Sequence, residues 1–337
     1  MEDPSKSPLP EAFLSFLQAN GIDPSIYIAS DSTPRYLRQI YGIDAASGAA
    51  VSVLNISPGD HVLDLCAAPG AKLCMMLDLL GDSGSVTGVD VARHRLAACR
   101  TMLQKYSLGD RCRLFVADGT TFSLAPLRVD SRSRSCESSF EEKDERFREW
   151  TSRRPWKERK RAAKARETMS LQSVTMSENP ELIFYGRHSG VVGLSKNKLY
   201  KTVSDLEVSS CGYDKVLVDA ECTHDGSVKH IQKFENWGWT TLQRRVLDAL
   251  KLLRNGFRLL KVGGLLVYST CSLTVAQNED IVEQFLKENT SAENCLFVAA
   301  LQPQISAVAC FTTFEYPKLV RPLHEDGRDF SSGILPS

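Results

Sequence analysis

Residues 61–90 read HVLDLCAAPGAKLCMMLDLLGDSGSVTGVD. The stretch opens on an apolar run, HVLDLC (61–66), of strand length. It breaks at a small-residue turn, AAPG, continues as AKLCMMLDLL with helical composition, and returns to an apolar run, SVTGVD (85–90). Strand, turn, helix, strand is the repeating unit of a parallel sheet, because parallel neighbours need a crossover. The unit recurs downstream. VARHRLAACRTMLQKY places Leu96, Cys99 and Leu103 on one helical face, and RLFVAD (113–118) is a third strand. DKVLVDA (214–220) is a fourth. A long helix follows, with Leu242, Val246, Ala249, Leu250, Leu253 and Phe257 at helical spacing, and KVGG ends it. GLLVYST is a fifth strand, AQNEDIVEQFLKEN a further helix, and CLFVAA a late strand. Near-continuous apolar strands alternating with helices predict an α/β fold with a mostly parallel, doubly wound sheet and flanking helices.

The 337 residues suffice for one large domain, and the formal net charge is zero, so no whole-chain field selects a polyanion. None of the ten cysteines forms a C-x-x-C pair. That usage fits reduced thiols rather than a disulfide framework. The start, MEDPSKSPLPEAF, has no apolar or Arg-rich leader pattern, and no apolar run reaches membrane-spanning length. A soluble intracellular protein with no membrane partner is expected.

The alternation is interrupted between the third and fourth strands. Residues 128–166 hold 14 Lys/Arg against 8 Asp/Glu, and RRPWKERKRAAKAR (153–166) holds 8 basic residues and a single acid, Glu158. Phe147, Trp150 and Trp156 are interleaved. With no core-forming period, 128–212 reads as a long charged insertion, disordered or partly helical. A solvated tether is the plain reading. RNA contact and a nuclear localisation signal are the functional ones, leaving nucleus, nucleolus or cytoplasm open.

The turn Cys66-Ala67-Ala68-Pro69-Gly70-Ala71-Lys72 lets backbone approach a ligand, and the helix beyond it offers free N–H groups. Asp90 ends the second strand, where an acid suits a ribose diol, and Asp118 ends the third, near where an adenine edge would lie. One such acid is usually a solvated strand end or a cap; three coordinated strand ends point to a nucleoside cofactor. The turn lacks G-x-G-x-x-G, which disfavours a nicotinamide dinucleotide.

The fourth strand ends in Val218-Asp219-Ala220-Glu221-Cys222-Thr223 and the fifth in Ser269-Thr270-Cys271-Ser272. A strand-end cysteine by itself reads as structural. Two of them beside an acid, at the sheet edge where ligands bind, read as catalytic. A metal site is not expected, since His224 is the single further ligand type nearby and the spacing matches no common motif.

The ordered set VLDLCAAPGAK, GVD, VADG, VLVDAECT and LLVYSTCSLTVAQNED resembles the RsmB/Nop/Sun family of RNA cytosine-5 methyltransferases, from about Tyr41 to Leu286 outside the insertion. The resemblance implies a Rossmann-like domain using S-adenosyl-L-methionine. It implies that 66–72 holds the methionine end of the cofactor, Asp90 the ribose and Asp118 the adenine, with Arg95 on the following helix. It further implies Cys271 as nucleophile, Asp219 at the base edge, Cys222 in product release, Lys72 as an organiser of the site, and tRNA or rRNA as the partner.

Three departures stand out. Glu221 replaces the family proline before Cys222, and its charge is expected to raise that thiol's pKa. Ala71 stands for a glycine. Between Arg38 and Tyr41 an RNA-recognition-like subdomain is missing, so 1–40 reads as its remnant, with 41–127 and 213–337 as the two halves of the catalytic domain. These departures keep a second expectation in play, a weakly active RNA- or partner-binding protein on the same fold.

Overall fold

The computed structural model describes residues 11–24, 36–38, 41–43, 45–127, 146–149, 180–203, 212–225, 238–298 and 308–313. In chain order these form α1 (Glu11–Ala19), β1 (Tyr36–Arg38), β2 (Tyr41–Ile43), α2 (Ala45–Val53), β3 (His61–Asp64), α3 (Ala71–Leu80), β4 (Ser85–Asp90), α4 (Arg93–Lys105) and β5 (Cys112–Val116). Then come β6 (Glu181–Tyr185), α5 (Lys196–Leu199), β7 (Tyr213–Asp219), α6 (Gly238–Leu259), β8 (Leu260–Ser269), α7 (Glu279–Glu288), β9 (Ala292–Val298) and β10 (Val308–Thr313).

Eight strands form one sheet in the order β6-β5-β4-β3-β7-β8-β10-β9. The five central strands, β5 to β8 in that order, are mutually parallel, as the apolar runs predict. β6 pairs antiparallel with β5, and β10 lies antiparallel between β8 and β9. The chain builds outward from β3 through β4 to β5, then resumes on the other side of β3 with β7. Strand order therefore reverses at β3, and the carboxyl ends of β3 and β7 flank the crevice where such sheets take ligands.

Successive strand residues point to opposite faces, and the two faces bury different partners. Leu63, Val216, Val218, Leu266 and Tyr268 pack with Ala249, Leu250 and Leu253 of α6 and with Ile281, Val282 and Phe285 of α7. Val62, Leu217 and Val267 pack instead with α2, α3 and α4, through Val51, Leu73, Met76, Leu96 and Leu103. Each fully buried leucine of this kind contributes about 1.5–3 kcal/mol. The helical face predicted for α4, Leu96, Cys99 and Leu103, is the buried one. A third, small cluster docks Phe13, Phe16 and Leu17 of α1 against Leu242 of α6.

Four details differ from expectation. β5 stops at Val116, so Asp118 lies in the turn beyond it. KVGG (261–264) does not merely end α6. It bulges inside β8, where pairing jumps from Tyr213↔Leu260 to Lys215↔Leu265 around a left-handed Gly263. The region 128–212 contributes β6 to the sheet. There Phe147 meets Tyr185 edge-on with ring centroids 5.7 Å apart, and Leu124 bridges Thr202. ELIFY is short and lies inside the long stretch read as an insertion, set off from the charged run by residues 167–180, so composition hid it. The basic run 153–166, with Trp156, lies outside the described residues, as does Trp150. Finally, an unexpected strand, β10, separates β9 from β8. At the expected gap between Arg38 and Tyr41 those two residues pair across the β1–β2 hairpin.

Candidate active site

The loop after β3 is fixed to its neighbours by backbone bonds. Leu65 N donates to Leu217 O at 3.1 Å and Ala67 N to Val89 O at 2.9 Å. Gly70 adopts φ +112°, and a Cβ there would sit 3.2 Å from the Cα of Cys99, so glycine serves both the turn and its approach to α4. Asp90, at the end of β4, accepts Ala68 N at 3.2 Å and Ala92 N at 2.8 Å. Arg95 donates to Ala68 O at 2.9 Å and lies 3.9 Å from Asp90. The sequence-predicted Asp90, Arg95 and 66–72 are thus one assembly. Asp118 stands apart from it, exposed, with Oδ1 accepting Thr120 N and Oγ1 at 2.8 and 2.7 Å.

Sequence reasoning passed over Asp64, an acid inside an apolar run. It is 1% exposed, accepts Cys66 N at 3.1 Å, and burial pushes its carboxyl up to about 7, with Asp219 and Asp90 adding to the rise. Burial, then Asp64, Asp219 and Asp90, also hold the Cys66 thiol well above its ordinary range. A thiol so raised stays protonated and is poorly suited to nucleophilic attack.

β7 and β8 run in register through Asp219↔Ser269, which sets their two end loops side by side. Asp219 accepts Lys72 Nζ at 2.7 Å and Ser269 Oγ at 2.8 Å, so the helix after the Gly70 turn is tied to the strand that leads to Cys222. Cys222 Sγ lies 3.1 Å from Cys271 Sγ, and His224 Nδ1 lies 2.8 Å from Cys271 Sγ. Burial pushes the Cys222 thiol up, but hydrogen bonds with Cys271 and His224 and the charge of His224 outweigh it and hold it at about 6. Cys271 is pushed well above its usual value, first by that same bond to Cys222 and then by burial. The pair thus gives up one proton readily and keeps the other. Transfer of the remaining proton across 3.1 Å decides which sulfur is the thiolate.

The expectation that Glu221 would raise the Cys222 thiol is not met. Its carboxylate is engaged by Arg245 of α6, and the thiol lies below its ordinary range.

The loops are braced from behind by buried polar groups: Gln277 and Asp225, which sequence patterning did not single out, and Asn278, part of the Asn-Glu pair in the motif that carries the family resemblance. Gln277 accepts Thr223 N at 3.0 Å and donates to Thr223 Oγ1 at 2.8 Å and to Ser272 Oγ at 2.7 Å. Asp225 accepts Leu273 N at 2.7 Å. Asn278 donates to the carbonyls of Ser272 and Thr274 at 3.0 and 2.9 Å. Such networks fix side-chain positions when every member is satisfied. The signal was present as SLTVAQN, polar where a helix start would suffice.

The absence of metal-motif spacing is a property of the sequence. In the fold, the ligating atoms of Cys222, His224 and Cys271 all lie within 4.8 Å of one another. His224 reaches the sulfurs because its backbone is left-handed, φ +56°.

A sheet that reverses at β3, with a glycine-bearing turn on that strand and an acid closing the next, is the architecture of the Rossmann-like methyltransferases. The family model described as 16S rRNA methyltransferase RsmB/F matches residues 51–131 and 193–318, and the chain belongs to that family. The rRNA (cytosine-C(5))-methyltransferase NOP2C of Arabidopsis thaliana is 23% identical over 283 residues, 78% of this chain and 45% of that protein. The 5-cytosine rRNA methyltransferase NSUN4 of Bos taurus is 27% identical over 250 residues, 73% of this chain and 44% of that protein. The chain therefore spans less than half the length of these relatives. Among solved structures, NSun6 from Pyrococcus horikoshii with SFG aligns at TM-score 0.49 and 15% identity, over 82% of this chain and 53% of that one.

Proposed function

We propose that this chain transfers a methyl group from S-adenosyl-L-methionine to carbon 5 of a cytosine in tRNA or rRNA through a covalent cysteine adduct. The observation that carries the reading is the placement of two thiols 3.1 Å apart beside the Lys72–Asp219 pair, at the edge of the switch-point crevice.

The crevice suits the cofactor. Three carboxylates, Asp64, Asp90 and Asp219, surround the turn, with Lys72 and Arg95 as nearby cations. A ligand bearing a sulfonium and an ammonium would be electrostatically welcome there. Residues 66–71 would hold its methionine end, Asp90 with Arg95 the ribose side, and Asp118 the adenine edge. When bound, S-adenosyl-L-methionine supplies an electrophilic methyl group.

The chain's own residues would do the rest. Carbon 5 of cytosine is a weak nucleophile. Addition of the Cys271 thiolate to carbon 6 forms an S–C6 bond and places electron density at carbon 5. Asp219, oriented by Lys72 and Ser269, would hold the base's hydrogen-bonding edge and favour a proton on ring nitrogen 3. Once Cys271 is held in the adduct, Cys222 would release its own proton to solvent; after methylation its thiolate would accept the carbon-5 proton while the S–C6 bond breaks and returns Cys271 as thiolate. The target base must be unpaired or turned out of its stack to reach the loops. Under this reading 1–40 is a remnant of an RNA-recognition subdomain, the insertion interrupts the catalytic domain, and the protein works inside the cell, in nucleus, nucleolus or cytoplasm.

Calorimetry with S-adenosyl-L-methionine on the full chain tests the cofactor half. Binding is expected, and Asp90→Ala should weaken it by about tenfold or more, the size of one charge-assisted hydrogen-bond pair. A folded chain with no heat of binding would sink the reading.

A further inference from the structure

We propose that Cys222, His224 and Cys271 form a binding site for a thiophilic divalent cation of the zinc type, and that its occupation takes both thiols out of use. Cys222 and His224 are separated by one residue after β7, and Cys271 follows β8 by two. Their ligating atoms come together because β7 and β8 are adjacent parallel strands in register at Asp219↔Ser269. The three atoms lie within 4.8 Å of one another, and Cys222 is 1% exposed.

The donor set fits the ion. Zinc takes thiolate sulfur at about 2.3 Å and imidazole nitrogen at about 2.0 Å, and two sulfurs on one tetrahedral ion lie roughly 3.8 Å apart. The present Sγ–Sγ separation is 3.1 Å, so the side chains need to open by well under an ångström. Two thiolates and a neutral imidazole cancel the ion's charge, which suits a buried position. Lys72 does not stand as an uncompensated positive charge beside it, because Asp219 pairs with it at 2.7 Å.

The site is also braced. Metal ligands are held by outer partners, and here Gln277 bridges Thr223, between the first two ligands, to Ser272, next to the third. His224 is held at φ +56°, a conformation uncommon for a residue with a Cβ and seen where surroundings impose it. Three protein ligands leave a fourth position for water or an incoming group.

Binding does not depend on the methyl-transfer reading; the inhibitory consequence rests on it. A sulfur that ligates zinc cannot add to a base, so occupation and adduct formation exclude each other.

The test is cobalt(II) and zinc(II) titration of the reduced full chain without RNA. Cobalt should give thiolate charge-transfer absorption at one equivalent. Zinc should protect Cys222 and Cys271 together from alkylation read by mass spectrometry. His224→Asn, whose side chain tolerates the left-handed backbone, should weaken cobalt binding by at least the roughly 10–100-fold that loss of an outer partner costs. His224→Gly, which suits that backbone equally, should behave alike and controls for misfolding. Alkylation of the two cysteines unchanged by zinc, or undiminished cobalt binding in both His224 variants, would overturn the site. Lack of methylation in metal-free buffer would instead strike the proposed function and leave the metal site standing.

Discussion

A Cys222→Ala chain, incubated with substrate RNA and S-adenosyl-L-methionine, is expected to accumulate a protein–RNA species that survives denaturation. Cys271→Ala should form none and should lose methyl transfer by about 10⁴-fold or more, the scale seen when a covalent nucleophile is removed. The asymmetry follows from the proposed roles, Cys271 as nucleophile and Cys222 in release, which rest on the family resemblance. Both sulfurs share one site at 3.1 Å, but they stand on different loops, one beyond β7 and one beyond β8. If Cys271 makes the bond and Cys222 releases it, removing the second traps what the first has made. The double variant should resemble Cys271→Ala. Adduct in Cys271→Ala with none in Cys222→Ala would reverse the assignment, as the lower pKa at Cys222 could suggest. Adduct in neither would remove the covalent route.

The second large effect belongs to Asp64. Its carboxyl is raised from 3.8 to about 7, first by burial. A carboxyl raised on folding resists ionisation in the native state. Its contribution to stability is whole at acid pH and is lost as pH rises through 7. The rise from 3.8 to about 7 corresponds to about 4 kcal/mol, lost progressively between those two pH values. Asp64→Asn keeps an acceptor for Cys66 N and never ionises. Its urea midpoint should hold steady over the range in which the parent chain loses stability, so the two curves should diverge toward pH 8. Parallel curves would mean that Asp64 titrates normally. A cation bound in the crevice favours the ionised form. Cofactor binding near pH 6 should therefore expel a proton, visible as a binding heat that depends on the buffer.

Much of this was legible in the sequence because it is written in local pattern. Apolar runs 61–66, 85–90 and 214–220, and the α4 face of Leu96, Cys99 and Leu103, follow from residue periodicity, and each run supplies a strand of the sheet, the first stopping at Asp64 and the last at Asp219. The site's ingredients were legible for the same reason: a glycine turn, strand-end acids and strand-end cysteines. What was hidden depends on contacts distant in sequence. β6 is five residues toward the far end of the insertion, and its pairing with β5 comes from across it. His224 looked isolated until Cys271 arrived from 47 residues downstream. Asp64 looked like one polar interruption of a strand; its raised pKa needs the burial and the neighbouring carboxylates that the assembled crevice supplies.

Glu221, where the family resemblance implies a proline, changes how its loop is held. A proline stiffens a loop through its own ring, in any solution. Here the residue before Cys222 is moored to α6 through Arg245, with the carboxylate side chain 49% exposed. Ions in the surrounding water can loosen that mooring, since dissolved salt screens exposed pairs. The loop that carries Cys222 therefore has two kinds of anchor: a half-exposed ion pair that brine weakens, and the buried bonds of Thr223 to Gln277 that it does not.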